Sequence, residues 1–137
     1  MSTFIRVFLS TVLLSICTLV VSEISLAKPQ PASTFVYNGP PILFEDVFHN
    51  PDDNELKLNY ARQQAASGDF LSAAFVLEGM LFTSPNWDTA RLFYAIMLAE
   101  LDDHDAALYE FNILENRPLN AEHRAISTAY LKKLNKD

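Results

Sequence analysis

Two stretches of this chain, 68–77 and 102–111, have the same residue pattern 34 positions apart. A fixed period of this length is typical of helix pairs that stack on one another, because a single pair cannot bury its apolar face alone. The repeat therefore predicts an all-α fold, a short helical-repeat solenoid of two helix pairs and one closing helix, preceded by an irregular N-terminal arm. The matching positions are Tyr60 and Tyr94, Ala61 and Ala95 (and Ala129), Asp69 and Asp103, Ala73 and Ala107, and Leu77 and Phe111.

Capping and helix-breaking residues indicate where each helix begins and ends. Asp52, with Glu55 three residues later, suits a helix start, and Gly68 and Pro85 suit helix ends. Asp69, Asp103 and Asn120 are the other expected N-caps. The expected helices are 54–67, 70–82, 88–101, 104–115 and 121–134. They divide the helical domain, 51–137, into repeats at about 54–87 and 88–121 and a closing helix at about 121–134.

The first 27 residues have the features of a secretory signal peptide. Arg6 precedes an apolar run at 7–21, and Ser25 and Ala27 are small residues at the positions that a signal peptidase reads. Cleavage near Ala27 would make the mature protein periplasmic or secreted, and would remove Cys17, the one cysteine of the chain. An uncleaved signal would leave a membrane anchor, although the run is shorter than the 18 or so residues of a typical span.

Residues 28–50 are expected to form a proline-containing extended arm. The first part, 28–34, is proline-rich and weakly polar, which favours an extended chain. The second part, 35–48, is too apolar for a solvated linker, so we expect it to dock either on its own domain or on a partner. A short helical turn is expected at 45–50.

The chain from about 54 to 135 resembles the tetratricopeptide repeat. With Asn54 and Asp88 as first positions, the family's small and large contact residues and its terminal proline fall on Ala61, Ala95, Ala73, Ala107, Leu77, Phe111 and Pro85. The chain departs from the family at Lys57 and Arg91, where the family has Trp, and at Asp102, where the family has Gly. Residues 46–115 also resemble the repeat region that precedes outer-membrane barrels in longer bacterial proteins, but no barrel function is carried over.

The resemblance to this family implies a concave groove that binds a partner. Its lining would come from the first helix of each pair and from the closing helix. An apolar groove of this kind binds an amphipathic helix or an extended apolar peptide. The alternative is that these side chains pack within the domain. The expected groove residues are Leu58, Arg62, Leu92, Ile96, Ile126 and Tyr130.

The second expected helix is apolar on two sides. One side serves the core, and the other is a stripe formed by Leu71, Phe75 and Phe82, with Gly79 between them. These positions face solvent on an ordinary repeat of this kind. We expect the arm, 35–48, to lie across this convex apolar stripe and cover it. The alternative is that the stripe binds a partner or an identical subunit.

Composition and motifs narrow the function. A net charge of −7 argues against nucleic-acid partners, because a phosphate backbone is held mainly by Lys and Arg. The three histidines lie on different elements, and the Asp102 to Asp105 turn is better explained by capping, so no catalytic residue, metal or cofactor is expected. We expect a non-catalytic protein–protein interaction module, an adaptor or scaffold of the cell envelope, with a homo-oligomer as a further option. The alternative is a structural accessory subunit of an envelope enzyme or export complex.

Overall fold

A computed structural model describes residues 35–136, and these form six helices with no strand. The all-α prediction is confirmed, as a short bundle of repeat-like helix pairs. Each of the five long helices agrees with its expected span to within one residue at either end. The expected signal, 1–27, and residues 28–34 lie outside the described part. The helices are α1 (Phe44–His49), α2 (Asn54–Ala66), α3 (Phe70–Thr83), α4 (Asp88–Glu100), α5 (His104–Glu115) and α6 (Ala121–Leu134).

Side-chain caps begin four of these helices. The carboxylates of Asp69 and Asp103 accept from the amides of Ser72 and Ala106 at 3.0 and 3.3 Å, and Asn120 caps α6 in the same way at 2.8 Å. The expected cap at Asp52 is wrong by one residue, since Asp53 accepts from the Leu56 amide at 2.9 Å. Pro51 and Asp52 are used in the preceding turn, whose last amide, that of Asp53, donates to the Asn50 carbonyl at 3.1 Å.

The turn that joins the two helices of a pair has the same conformation in both pairs, 34 residues apart. Gly68 and Asp102 both have left-handed backbones, with φ of 84° and 61°. The following amides, those of Asp69 and Asp103, donate to the carbonyls of Gln64 and Leu98 at 2.9 and 3.0 Å, which completes a Schellman motif in each pair. Asp102 therefore has the same left-handed conformation as Gly68, its equivalent in the first pair.

The core lies along the seams between consecutive helices. α2 packs on α3, α3 on α4, and α4 on α5, while α6 covers both α4 and α5. Ala73 and Ala107 are fully buried, as predicted, and their partners Leu77 and Phe111 are buried as well. Small residues at these seams let neighbouring helices approach to about 8–10 Å. None of the helices between residues 35 and 136 is both long and apolar enough to cross a bilayer.

The arm docks on its own domain, mainly on α2. The Ile42 amide donates to the Gln63 side-chain oxygen at 2.8 Å, and the Gln63 side-chain nitrogen donates to the Ile42 carbonyl at 2.9 Å. Ile42 and Val47 are buried, and the Phe44 ring lies 6.3 Å from that of Tyr60. The arm ends in α1, one residue ahead of the expected turn, and so is not extended throughout.

Candidate interaction surface

Most of the expected groove residues come together. A cavity of about 390 Å³ opens among α2, α4 and α6, and its lining includes five of the six residues. The sixth, Leu58, is 2% exposed and belongs to the core, and Leu92 and Ile96 are only 1% and 4% exposed. The apolar side chains of this groove therefore serve mainly the interior. The five residues that line it are Arg62, Leu92, Ile96, Ile126 and Tyr130.

Two polar groups of the groove, those of Arg62 and Tyr130, have partners within the chain. The Arg62 guanidinium lies 4.8 Å from the centre of the Phe93 ring. The Tyr130 hydroxyl donates to Glu100 at 3.0 Å, and burial, with the Glu100 carboxylate second, raises the pKa of Tyr130. Phe35 of the arm also lines the cavity. Residues of the same chain thus occupy part of the groove.

The convex stripe of α3 is open to solvent. Leu71, Phe75 and Phe82 are 69%, 74% and 90% exposed. The expectation that the arm covers them is therefore wrong. The arm instead runs beside α2, where the Gln63 side chain holds Ile42, and α1 ends beside the stripe without crossing it.

α1 extends this exposed surface. Phe44 and Phe48, four residues apart in α1, are 6.5 Å apart between ring centres, and Phe44 shares a cavity of about 400 Å³ with Leu71 and Phe75. Phe44 and Phe48 were not predicted to belong to this surface, although their four-residue spacing is typical of one helix face. We call the combined surface the apolar face. Its members are Leu43, Phe44, Phe48, Leu71, Phe75 and Phe82.

The α3 part of the apolar face carries little charge, although Lys57 of α2 lines the cavity between α1 and α3, and Glu45 and Asp46 lie on α1. Glu78 is the one charged residue of α3, and it lies at the edge of the stripe nearest α4. Burial and then the Glu78 and Glu110 carboxylates raise the pKa of Tyr94 on α4, which fits this position of Glu78. A surface with so little charge is suited to an apolar ligand rather than to a charged one.

The acidic turn before α5 is a capping structure. Asp103 holds the first turn of α5, and His104 lies 3.8 Å from the Asp102 carboxylate in an exposed pair. No group of three His, Cys, Asp or Glu side chains among residues 35–136 is arranged to bind a metal ion.

Arg91 is a structural residue that the sequence analysis did not single out as buried. It forms an ion pair with Glu110 and donates to the Pro85 carbonyl at 2.7 Å. It thereby ties α4 both to α5 and to the turn that follows α3.

Comparisons with protein-family models, with curated proteins and with solved structures give no match to this chain.

Proposed function

We propose that this chain is a non-catalytic protein–protein interaction module whose binding surface is the apolar face. The observation that carries the proposal is the exposure of its six large apolar side chains, each at least 59% open to solvent, on α1, on Leu43 just before it, and on α3. Soluble domains seldom leave a contiguous apolar patch of more than a few hundred Å² exposed unless it binds something. An apolar helix or an extended apolar segment is the ligand that such a surface takes.

The repeated helix pairs support the same function. Residues 34 positions apart have equivalent burial, equivalent caps and equivalent turns, which favours a tetratricopeptide-like arrangement. Such repeats act mainly by presenting a rigid surface to other proteins. The apolar face replaces the concave groove as the proposed binding surface, because Leu58, Leu92 and Ile96 of the groove are buried, whereas the apolar face is largely exposed.

The proposed place of action is the cell envelope. The support is the sequence of residues 1–27, with its positive start, apolar run and small residues before a cleavage point. Cleavage near Ala27 would give a periplasmic or secreted protein. Detection of the processed chain in the envelope fraction, with a new N-terminus close to Lys28, would support this placement, and retention of the full chain in the cytosol would contradict it.

The binding surface can be tested by photo-crosslinking in the cell. A photoreactive phenylalanine analogue replaces either Phe75 or Tyr109, which is its counterpart 34 residues later and is 66% exposed on α5. We expect crosslinked products from position 75 and not from 109, and we expect Phe82→Asp to remove them. Equal products from both positions, or none from position 75, would contradict the proposal. One constant product would favour a structural subunit, and several weak products an adaptor.

A further inference from the structure

α3 has a glycine in the middle of its exposed stripe. A Cβ atom at Gly79 would meet no atom within 4 Å, and the backbone there does not have a positive φ. Glycine inside a helix costs about 0.5–1 kcal/mol relative to alanine, and nothing within residues 35–136 requires it here. Gly79 also lines a cavity of about 350 Å³ between α1 and α3, together with Phe48 and Phe75. It therefore leaves a notch in an otherwise bulky apolar face.

We propose that the ligand of the apolar face is a second copy of this chain, bound through antiparallel pairing of the two α3 helices. This inference rests on the proposed function and names the partner of that surface. A two-fold axis level with the middle of α3 brings Phe75 opposite Gly79 of the second copy. The same axis brings Leu71 to within one residue of Phe82 of the second copy.

The order of large and small residues along the stripe favours the antiparallel arrangement. In a parallel pair, Phe75 would meet its own copy and the two notches at Gly79 would face each other and stay empty. In the antiparallel pair, each Phe75 enters the notch of the other copy, so that ridge and groove match twice. Antiparallel helices also have opposed dipoles, and the two-fold contact is closed, so it gives dimers and not filaments.

The exposed area fits a stable dimer. At about 150–250 Å² for a whole aromatic side chain, the six partly exposed side chains of the apolar face present on the order of 700 Å² of surface. Stable interfaces of standard size bury about 800 Å² on each partner. The area of the whole face is therefore close to that which one partner of a standard-size interface buries.

The charge on α3 gives this pairing a distinctive signature. The two-fold axis lies in the plane of the interface and is perpendicular to the two α3 helices. It therefore leaves any residue on the same edge of the interface in both copies, and the two Glu78 side chains lie along one edge. The two carboxylates repel each other, and the whole chains, each with a net charge of −7, add to the repulsion. Glu78→Gln should therefore tighten the dimer several-fold, whereas it would weaken the binding of a basic partner.

Sedimentation equilibrium of the purified protein, expressed from residue 1, tests the pairing. We expect wild type to be a dimer at micromolar concentration, and Gly79→Leu to raise the dissociation constant of the dimer at least tenfold by filling the notch. The thermal midpoint of the Gly79→Leu monomer should not fall, because the new side chain has free space. Asn112→Leu, which introduces the same side chain at an exposed position of α5, is the matched control and should leave the dissociation constant of the dimer unchanged.

Crosslinking tests the register. Cys17→Ser removes the only native thiol, and Leu71→Cys and Phe82→Cys are introduced in separate chains. A short bismaleimide should link the two chains when they are mixed, and should give much less product with either chain alone. Equal product from either chain alone would overturn the antiparallel register.

The outcomes separate this inference from the proposed function. If the wild-type protein is monomeric at about 100 µM, the proposal that the ligand is a second copy is overturned. A crosslink from position 75 to a different protein would still support the apolar face as the binding surface. If neither Gly79→Leu nor Phe75→Asp weakens the dimer, the dimer forms through another surface, and the proposed α3 pairing is overturned. If, in addition, position 75 gives no crosslink, the proposed function fails as well.

Discussion

At the scale of single residues, short polar side chains decide where helices begin. Asp69 illustrates this, since hydrogen bonds first from the Ser72 side chain and then from the Ser72 amide lower the pKa of Asp69 below its ordinary value of 3.8. A carboxylate whose pKa is lower in the folded state stabilises the fold at pH values above the unfolded pKa. This contribution is lost as the pH falls through the folded pKa.

Asp69→Ala is therefore expected to lower the free energy of unfolding by about 1 kcal/mol at pH 7. The difference from wild type should shrink as the pH falls below about 4, because the protonated carboxyl no longer accepts the amide hydrogen bonds as strongly. Urea denaturation at pH 7 and at about pH 2.5 measures the difference in the free energy of unfolding between Asp69→Ala and wild type. Asp69→Asn keeps an acceptor and should lose less, and a deficit of equal size at both pH values would contradict the assignment.

The helix boundaries were predictable because their signals are local. Asp69, Asp103 and Asn120 cap the residues that follow them directly, so the sequence alone was sufficient to place these starts. The cap of α2 was misplaced because Asp52 and Asp53 are adjacent and chemically equivalent. Their choice depends on the turn from Asn50 to Asp53, whose geometry the pattern did not contain.

At the scale of helices, the seams between pairs depend on alanine only where another helix follows. Ala61 and Ala95 recur in α2 and α4 and are buried, whereas Ala129, the next member of the series, is exposed on α6. The repeat correctly indicated which alanines could pack. It did not indicate that the last one has no helix against it within residues 35–136.

Ala107→Leu is expected to destabilise the protein by about 1–3 kcal/mol, because a fully buried alanine at the contact of α4 and α5 leaves no room for three more carbon atoms. Ala129→Leu makes the same change on the exposed side of α6 and should alter stability by less than about 0.5 kcal/mol. Thermal denaturation of both variants measures the contrast. Equal midpoints for the two would mean that the seam is not tightly packed.

At the scale of the whole molecule, the path of the arm was the feature that the sequence did not specify. Its apolar character indicated docking, and docking is observed. The choice between the convex stripe and α2 depended on the Gln63 side chain, which lies 21 residues from Ile42 along the chain. Pairings at such a distance leave no periodic signal. With the arm held beside α2, the stripe on α3 is left exposed.

Gln63→Ala should release the arm. The change removes both hydrogen bonds to Ile42, and we expect a loss of about 1–2 kcal/mol and faster amide exchange at Ile42 and Val47. Hydrogen exchange followed by NMR measures the effect at each residue, and Gln64→Ala, at the neighbouring position of α2, is the control. Unchanged protection of the Ile42 amide in Gln63→Ala would show that the apolar contacts alone hold the arm.

The contact between Gln63 and Ile42 has a consequence for the conditions that the molecule tolerates. It joins a neutral primary amide to a neutral peptide group, so neither partner titrates and neither is screened by dissolved ions. The attraction between His104 and Asp102, an exposed pair of ionisable groups, is by contrast weakened by salt. These two hydrogen bonds of the arm should thus hold over a wide range of pH and salt concentration.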